Sequence, residues 1–205
     1  FSPLRRMDTI LEKIINDAVW APSGDNSQPW RFEIVSDKLR IFNIPTRDNP
    51  ILNFQQSGSY IAHGALIENI SIVASAMGYE TQIKLFPEVL EPGLVAEITF
   101  SAISPIINPL ADVIKERCSN RRAYDTKKAI PKEVINQMKK LGDEEAGVVI
   151  SEDREEVENA SASLSQMEQI ALENKGIHQL FFGHMFWDKK TNEAGRPGLF
   201  VKSLD

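Results

Sequence analysis

The stretch of this sequence best suited to chemistry is a ten-residue loop, Ala-Pro-Ser-Gly-Asp-Asn-Ser-Gln-Pro-Trp at positions 21–30. Two prolines fix φ within it, and its glycine permits backbone conformations that other residues avoid. The loop can therefore present hydroxyl and carboxamide groups from a stiff frame, and such loops often carry sites. The candidate binding residues are Pro22, Ser23, Gly24, Asn26 and Gln28. The alternative is an ordinary helix-to-strand connection in which Trp30 fills the core.

A second group suited to ligand binding is the basic segment at 117–122, Arg-Cys-Ser-Asn-Arg-Arg. Guanidinium groups donate paired, charge-assisted hydrogen bonds to phosphate oxygens, and Ser and Asn can add small donors. The segment predicts a phosphate grip formed by Arg117, Ser119, Asn120, Arg121 and Arg122. The alternative is a solvated basic patch on an acidic protein, because short basic runs are weak indicators.

The other reactive residue types show no spacing typical of a site. His63, His178 and His184 are scattered, and Cys118 is the single cysteine, so the spacing of metal ligands is missing and no internal disulfide can form. A single cysteine suits a reducing compartment, which favours the cytoplasm. No side chain is marked as an acid, a base or a nucleophile.

Composition places the chain among ordinary globular proteins. It has 205 residues, 42% of them hydrophobic and 25% charged, with a formal net charge of −6. The acidic balance argues against nucleic acid as a partner. The most apolar stretch, 61–77, is interrupted by polar residues and predicts a buried helix rather than a membrane span. The chain starts without Met and shows no closing element before Asp205, as expected of a fragment.

Regular elements on both sides would hold the loop in place. Helical spacing predicts a helix over 7–19, and alternation predicts a strand pair at 32–35 and 39–42. Later patterns predict a helix over 58–77, strands at 81–86 and 94–100, helices over 110–117 and 131–141, a strand at 147–151 and a helix over 154–174. The first four strands can join, which predicts an α+β fold with an antiparallel sheet flanked by helices.

The loop resembles the A-P-S-x-x-N-x-Q-P-W-x-F signature of the flavin-dependent nitroreductase superfamily, with Phe32 as its last position. The resemblance implies an FMN-dependent, NAD(P)H-consuming oxidoreductase that reduces a nitroaromatic, quinone or similar acceptor. It also implies that Ser23, Gly24 and Asn26 contact the ribityl chain and the pyrimidine edge of the flavin. The basic segment is similar to the one with which these enzymes grip the flavin phosphate.

The order of the two motifs departs from the common family pattern, in which the basic segment precedes the loop. Here it follows the loop, and 142–147 stands where a second loop would be due. This order is similar to the Acg-like branch, whose Asn-Arg-Arg-Pro-Phe stretch resembles residues 120–124. The resemblance implies a fused pseudo-duplicate, with a first half at 1–110 that carries the loop and an incomplete second half at 111–205 that carries the grip.

Under this interpretation the loop and the basic segment build one flavin site jointly, either in a monomer with an internal pseudo-dimer or in a homodimer. Two other functions stay open because flavin contacts that the family supplies late in its chain are not recognisable here. The protein could bind or sequester flavin with little or no turnover. It could also be a structural relic that binds no flavin.

Overall fold

The structure is a computed structural model that describes residues 3–48, 53–87, 91–120, 123–125, 127–142, 146–183, 185–187 and 199–200. The chain divides into two compact units. The first comprises Phe1–Asn120 with Asp188–Leu199, and the second comprises Arg121–Trp187 with Phe200–Asp205.

The first unit combines two long helices with a four-stranded antiparallel sheet. Its elements in chain order are α1 (Pro3–Ala18), β1 (Trp30–Val35), β2 (Lys38–Asn43), α2 (Ser57–Ala76), β3 (Tyr79–Leu85), β4 (Leu94–Ala102) and α3 (Pro109–Val113). The strand order is β1-β2-β4-β3, and every neighbouring pair is antiparallel. The prediction that two hairpins join in one antiparallel sheet of an α+β fold is therefore confirmed.

The two helices share one core with one face of the sheet. Because side chains alternate between the faces of a strand, Leu39 and Ile41 of β2 point into this core, whereas the intervening Arg40 belongs to the other face. Leu11 and Ile14 of α1 meet the same core, and none of the four apolar side chains is exposed. The other buried members are Ala18, Ala21, Trp30, Ala62, Leu66, Ile67, Ile70, Val73, Ala74, Ala96, Ile98 and Ile114.

Ion pairs run across the other face of the sheet. The guanidinium of Arg40 pairs with Glu33, Glu91 and Glu97, and Lys38 Nζ donates to Glu97 Oε1 at 2.8 Å. The hydrogen bond from Lys38 is the main cause that lowers the pKa of the Glu97 carboxyl below its usual value, with Coulombic help from Lys38, Arg40 and Lys84. The ionised form of Glu97 therefore stabilises the folded sheet.

We expect Glu97 to make the first unit sensitive to acid. A carboxyl whose pKa is lower in the folded state stabilises the fold above its unfolded pKa, and this contribution is lost as the pH falls through the folded pKa. Glu97→Gln should therefore lower the free energy of unfolding at neutral pH and have a smaller effect at an acidic pH below the usual pKa of glutamate. Urea unfolding at both pH values measures the difference. An equal effect of Glu97→Gln at both pH values would contradict it.

The regular structure of the second unit is mostly helical, among the residues that the structure describes. It contains α4 (Lys132–Lys139), α5 (Arg154–Glu173), α6 (Lys175–Gly183) and the two-residue strand β5 (Met185–Phe186), and a last strand, β6, spans Leu199–Phe200. The predicted strand at 147–151 is wrong, because these residues belong to neither helix nor strand. Its apolar run has strand propensity, but Val149 is 94% exposed. A strand needs pairing and packing on a neighbour to be stable.

Among the described residues, none of the helices combines the length and the apolar character that crossing a membrane would require.

Candidate functional site

The loop at 21–30 is built from unusual backbone conformations. Asp25, Asn26 and Gln28 have positive φ values of 47°, 55° and 45°. Asp and Asn tolerate this region, but Gln28 does so less readily and also precedes a proline, which favours extended backbone. Sparsely populated conformations cost about 1–3 kcal/mol each and cluster at functional sites. The strain therefore agrees with a functional role for this loop.

Ser23 holds the loop together from inside. Its carbonyl accepts a hydrogen bond from the Asn26 N–H at 3.1 Å, and its Oγ accepts one from the Gln28 N–H at 3.0 Å. The Ser27 N–H donates to the Gly24 carbonyl at 2.8 Å and closes the 3₁₀ turn Gly24–Asn26. Ser23 thus stabilises the turn, and its hydroxyl can still donate a hydrogen bond.

The side chains of Asn26 and Gln28 form a pair at the surface. Gln28 Nε2 donates to Asn26 Oδ1 at 3.2 Å. This bond leaves the Asn26 Nδ2 donor and the Gln28 Oε1 acceptor outside it, so each carboxamide keeps hydrogen-bonding capacity. Pro22 and Gly24 are also exposed, and they give this part of the loop an open backbone surface.

Trp30, the last residue of the loop, is buried in the core. An ordinary helix-to-strand connection also predicts this position for Trp30. It is 4% exposed, and its ring lies edge-on to His63 with 6.1 Å between the ring centroids. Phe32 is partly buried against the same core. The end of the loop is therefore anchored by packing, while its middle stays at the surface.

A segment that sequence reasoning missed packs beside the loop. We call residues 43–48 and 53–59 the bracing segment. Arg47 Nη1 donates to the Gln28 carbonyl at 2.9 Å and to the Trp30 carbonyl at 3.3 Å. A Cβ added to Gly24 would lie 3.6 Å from Asp48 Oδ2, so the middle of the loop also lies close to this segment.

Asp48 continues into a buried polar network at the start of α2. Its Oδ2 accepts from Ser59 Oγ at 3.3 Å, and Asn53 exchanges two hydrogen bonds with Ser59. The Ser59 carbonyl contacts His63 Nδ1 at 2.7 Å. Asn53, Ser59 and His63 are all nearly inaccessible to solvent. Polar residues such as Ser59 and His63 next to an apolar run could have indicated a buried network, but sequence reasoning did not use them.

Two buried polar atoms close to the loop have no hydrogen-bond partner among the described residues, Ser27 Oγ and Asn43 Oδ1. The same Asn43 side chain donates through Nδ2 to Gln56 Oε1 at 3.0 Å, at the residue that precedes α2. Buried polar atoms without partners are rare in native proteins, and a missing ligand or water is one explanation. The surroundings of the loop thus have unused hydrogen-bonding capacity.

The basic segment begins next to the loop. Arg117 Nε donates to the carbonyl of Trp20, the residue directly before the loop, at 3.3 Å. Two residues earlier, Lys115 pairs with Asp17 of α1, and Ile114 is buried in the core of the first unit. Ser119 and Asn120 are exposed, whereas Arg121 and Arg122 lie outside the described residues. The structure thus brings Arg117 to the start of the loop.

No group of three or more His, Cys, Asp or Glu side chains among the described residues is placed to hold a metal ion. His63 belongs to the buried network, and His178 contacts Phe182 in the second unit with 4.4 Å between ring centroids. Cys118 is exposed, and His184 lies outside the described residues.

Comparison with known proteins gives distant relatives and no matching family model. A Mycobacterium tuberculosis protein named "Putative NAD(P)H nitroreductase" is 26% identical over 121 residues, which are 56% of this chain and 34% of the relative. An uncharacterised protein of the same organism is 27% identical over 124 residues, 57% of this chain and 36% of that protein. The matches thus cover only about a third of these relatives' length. The chain is a distant homologue of proteins that include one named "Putative NAD(P)H nitroreductase".

Proposed function

We propose that this chain is the flavin-binding part of an FMN-dependent flavoprotein that transfers reducing equivalents from NAD(P)H to a nitroaromatic, quinone or similar acceptor. The observation that carries the proposal is the hydrogen bond between Arg117 and the Trp20 carbonyl. It brings Arg117, the first residue of the basic segment, next to the start of the loop, although about ninety residues separate the two motifs in sequence. The distant relative named as a nitroreductase supports the same function.

The exposed amide pair fits one end of FMN. The pyrimidine edge of a flavin offers an N–H donor flanked by carbonyl acceptors. Asn26 Nδ2 and Gln28 Oε1 supply the complementary donor and acceptor. Pro22 and Gly24 complete the exposed surface against which a ring or ribityl chain would lie. The flavin would supply the redox chemistry, and these residues would bind and orient it.

The basic segment suits the other end of FMN. Arg117 is oriented by its bond to Trp20, and the exposed Ser119 and Asn120 follow it. Arg121 and Arg122 would supply the main charge toward the phosphate, because guanidinium groups match phosphate oxygens in pairs. This joint site is what a fused pseudo-duplicate of the Acg-like kind requires, and the domain division at 110 and 111 belongs to the same proposal. A cytoplasmic location and a monomer or homodimer complete it.

A flavin spectrum tests the proposal. Purified protein incubated with FMN and freed of excess ligand should absorb between about 350 and 500 nm. Anaerobic NAD(P)H should bleach this band, and a nitroaromatic or a quinone should restore it. Bound FMN that neither donor reduces would instead favour flavin sequestration. Absence of any bound flavin would overturn the proposed function.

A further inference from the structure

One charged side chain of the bracing segment holds the loop by its backbone. Arg47 Nη1 donates to the carbonyls of Gln28 and Trp30, at 2.9 and 3.3 Å. Between them, the Pro29 carbonyl accepts from the Ile44 N–H at 2.7 Å. Three successive carbonyls at the end of the loop, those of residues 28–30, therefore accept hydrogen bonds from Ile44 and Arg47.

These bonds act where the loop is most strained. Gln28 has a positive φ of 45° directly before a proline, a conformation that the chain would leave if it were free. Its carbonyl accepts from both Arg47 and the Trp30 N–H, the latter at 2.8 Å, so both lone pairs of this oxygen are used.

Arg47 is itself well placed to act as a brace. It ends the 3₁₀ turn Pro45–Arg47, and its N–H donates to the Ile44 carbonyl at 3.0 Å. This turn follows β2 directly, and the first residue of β1, Trp30, pairs with the last residue of β2, Asn43. Arg47 is therefore positioned by the paired strands of the sheet, and not by another loop.

We propose that Arg47 is a positioning residue that sets the Asn26–Gln28 amide pair through the backbone of Gln28, without touching the ligand. The link is short, since the carbonyl it holds belongs to the residue whose Nε2 donates to Asn26 Oδ1 at 3.2 Å. The consequence for ligand binding rests on the proposed flavin site. The bracing itself is a property of the chain alone.

Flavin affinity separates a positioning residue from a phosphate ligand. Arg47→Ala should weaken FMN and riboflavin binding by the same factor, about tenfold, because both share the ring and only FMN has the phosphate. It should also shift the absorption maximum of the bound flavin. Arg47→Lys should recover part of the affinity, because an ammonium can still donate to a carbonyl. Lys84→Ala, which removes one positive charge from an exposed position of β3, should change neither affinity.

Amide hydrogen exchange tests the brace without any flavin. In Arg47→Ala, the N–H groups of Ser27 and Gln28 should exchange faster than in the wild type, whereas Lys84→Ala should leave them unchanged. If the Arg47→Ala variant exchanges faster but the wild type binds no flavin, the proposed function is refuted, whereas the role of Arg47 in holding the loop is supported. A loss confined to FMN would make Arg47 a phosphate ligand and overturn the proposal. Unchanged exchange in Arg47→Ala would also overturn it.

Discussion

Simultaneous replacement of Arg121 and Arg122 by alanine should weaken FMN binding about a hundredfold and leave riboflavin binding nearly unchanged. Two charge-assisted hydrogen bonds to phosphate together contribute roughly 3 kcal/mol, which corresponds to this factor. Riboflavin has the same ring and ribityl chain without the phosphate, so it does not report on these contacts. Fluorescence titration of the flavin with wild-type and variant protein measures both affinities.

A matched control removes the same charge nearby. Lys127 and Lys128 are exposed and follow the arginines by a few residues. Lys127→Ala with Lys128→Ala lowers the net charge equally, so a long-range attraction for the anion would weaken FMN binding in both double variants. If the two double variants lose FMN affinity equally, the arginines are part of a solvated basic patch. If the arginine variant loses both flavins equally, the arginines act elsewhere in the site.

The sheet of the first unit could be predicted because its signals are local. In β1 and β2, apolar and charged residues alternate, and Ser36-Asp37 between the strands favours a tight turn. The bounds of the long helix α2 were predicted within a residue of Ser57–Ala76, because its apolar run is long and Gly78 follows it. Each of these features depends on residues within a few positions of one another.

The bracing segment could not be predicted because its role depends on residues far apart in sequence. Arg47 lies in a short Pro-Thr-Arg-Asp stretch that resembles any surface turn, and its two carbonyl partners are 17 and 19 residues away. The positive φ of Gln28 could not be predicted either, because a residue before proline is expected to have extended backbone. Both features depend on the pairing of β1 with β2, which brings Arg47 back to the end of the loop.

The same distinction explains the wrong strand at 147–151. Val148, Val149 and Ile150 have the composition of a strand, but strand formation depends on a partner that the local sequence does not reveal. A helix needs no such partner for its backbone hydrogen bonds. The neighbouring α5 was predicted correctly from its own sequence, and Asp153 caps it by accepting from the Glu156 N–H at 3.0 Å.

Replacing Asn53 with leucine should lower the free energy of unfolding of the first unit by about 3 kcal/mol. The leucine is similar in size, but it removes both hydrogen bonds to Ser59, at 2.8 and 3.2 Å. The Ser59 N–H then lacks a partner in a residue with no exposed surface. Urea unfolding followed by Trp fluorescence measures the loss, with Gln82→Leu on the exposed side of β3 as the control for an amide-to-leucine change.

A double-mutant cycle shows whether this loss comes from the Asn53–Ser59 pair. In a Ser59→Ala background the hydroxyl is already gone, so Asn53→Leu leaves only the backbone N–H of residue 59 without its partner. The loss of unfolding free energy should therefore be smaller by about 1 kcal/mol. Equal effects in both backgrounds would mean that the bond from Asn53 Nδ2 to the Ser59 hydroxyl contributes little and that the loss comes from the unpaired Ser59 N–H. Ser59 also donates to Asp48 beside Gly24, so a coupled Asn53–Ser59 pair would belong to one hydrogen-bonded network that runs from α2 towards the candidate flavin loop.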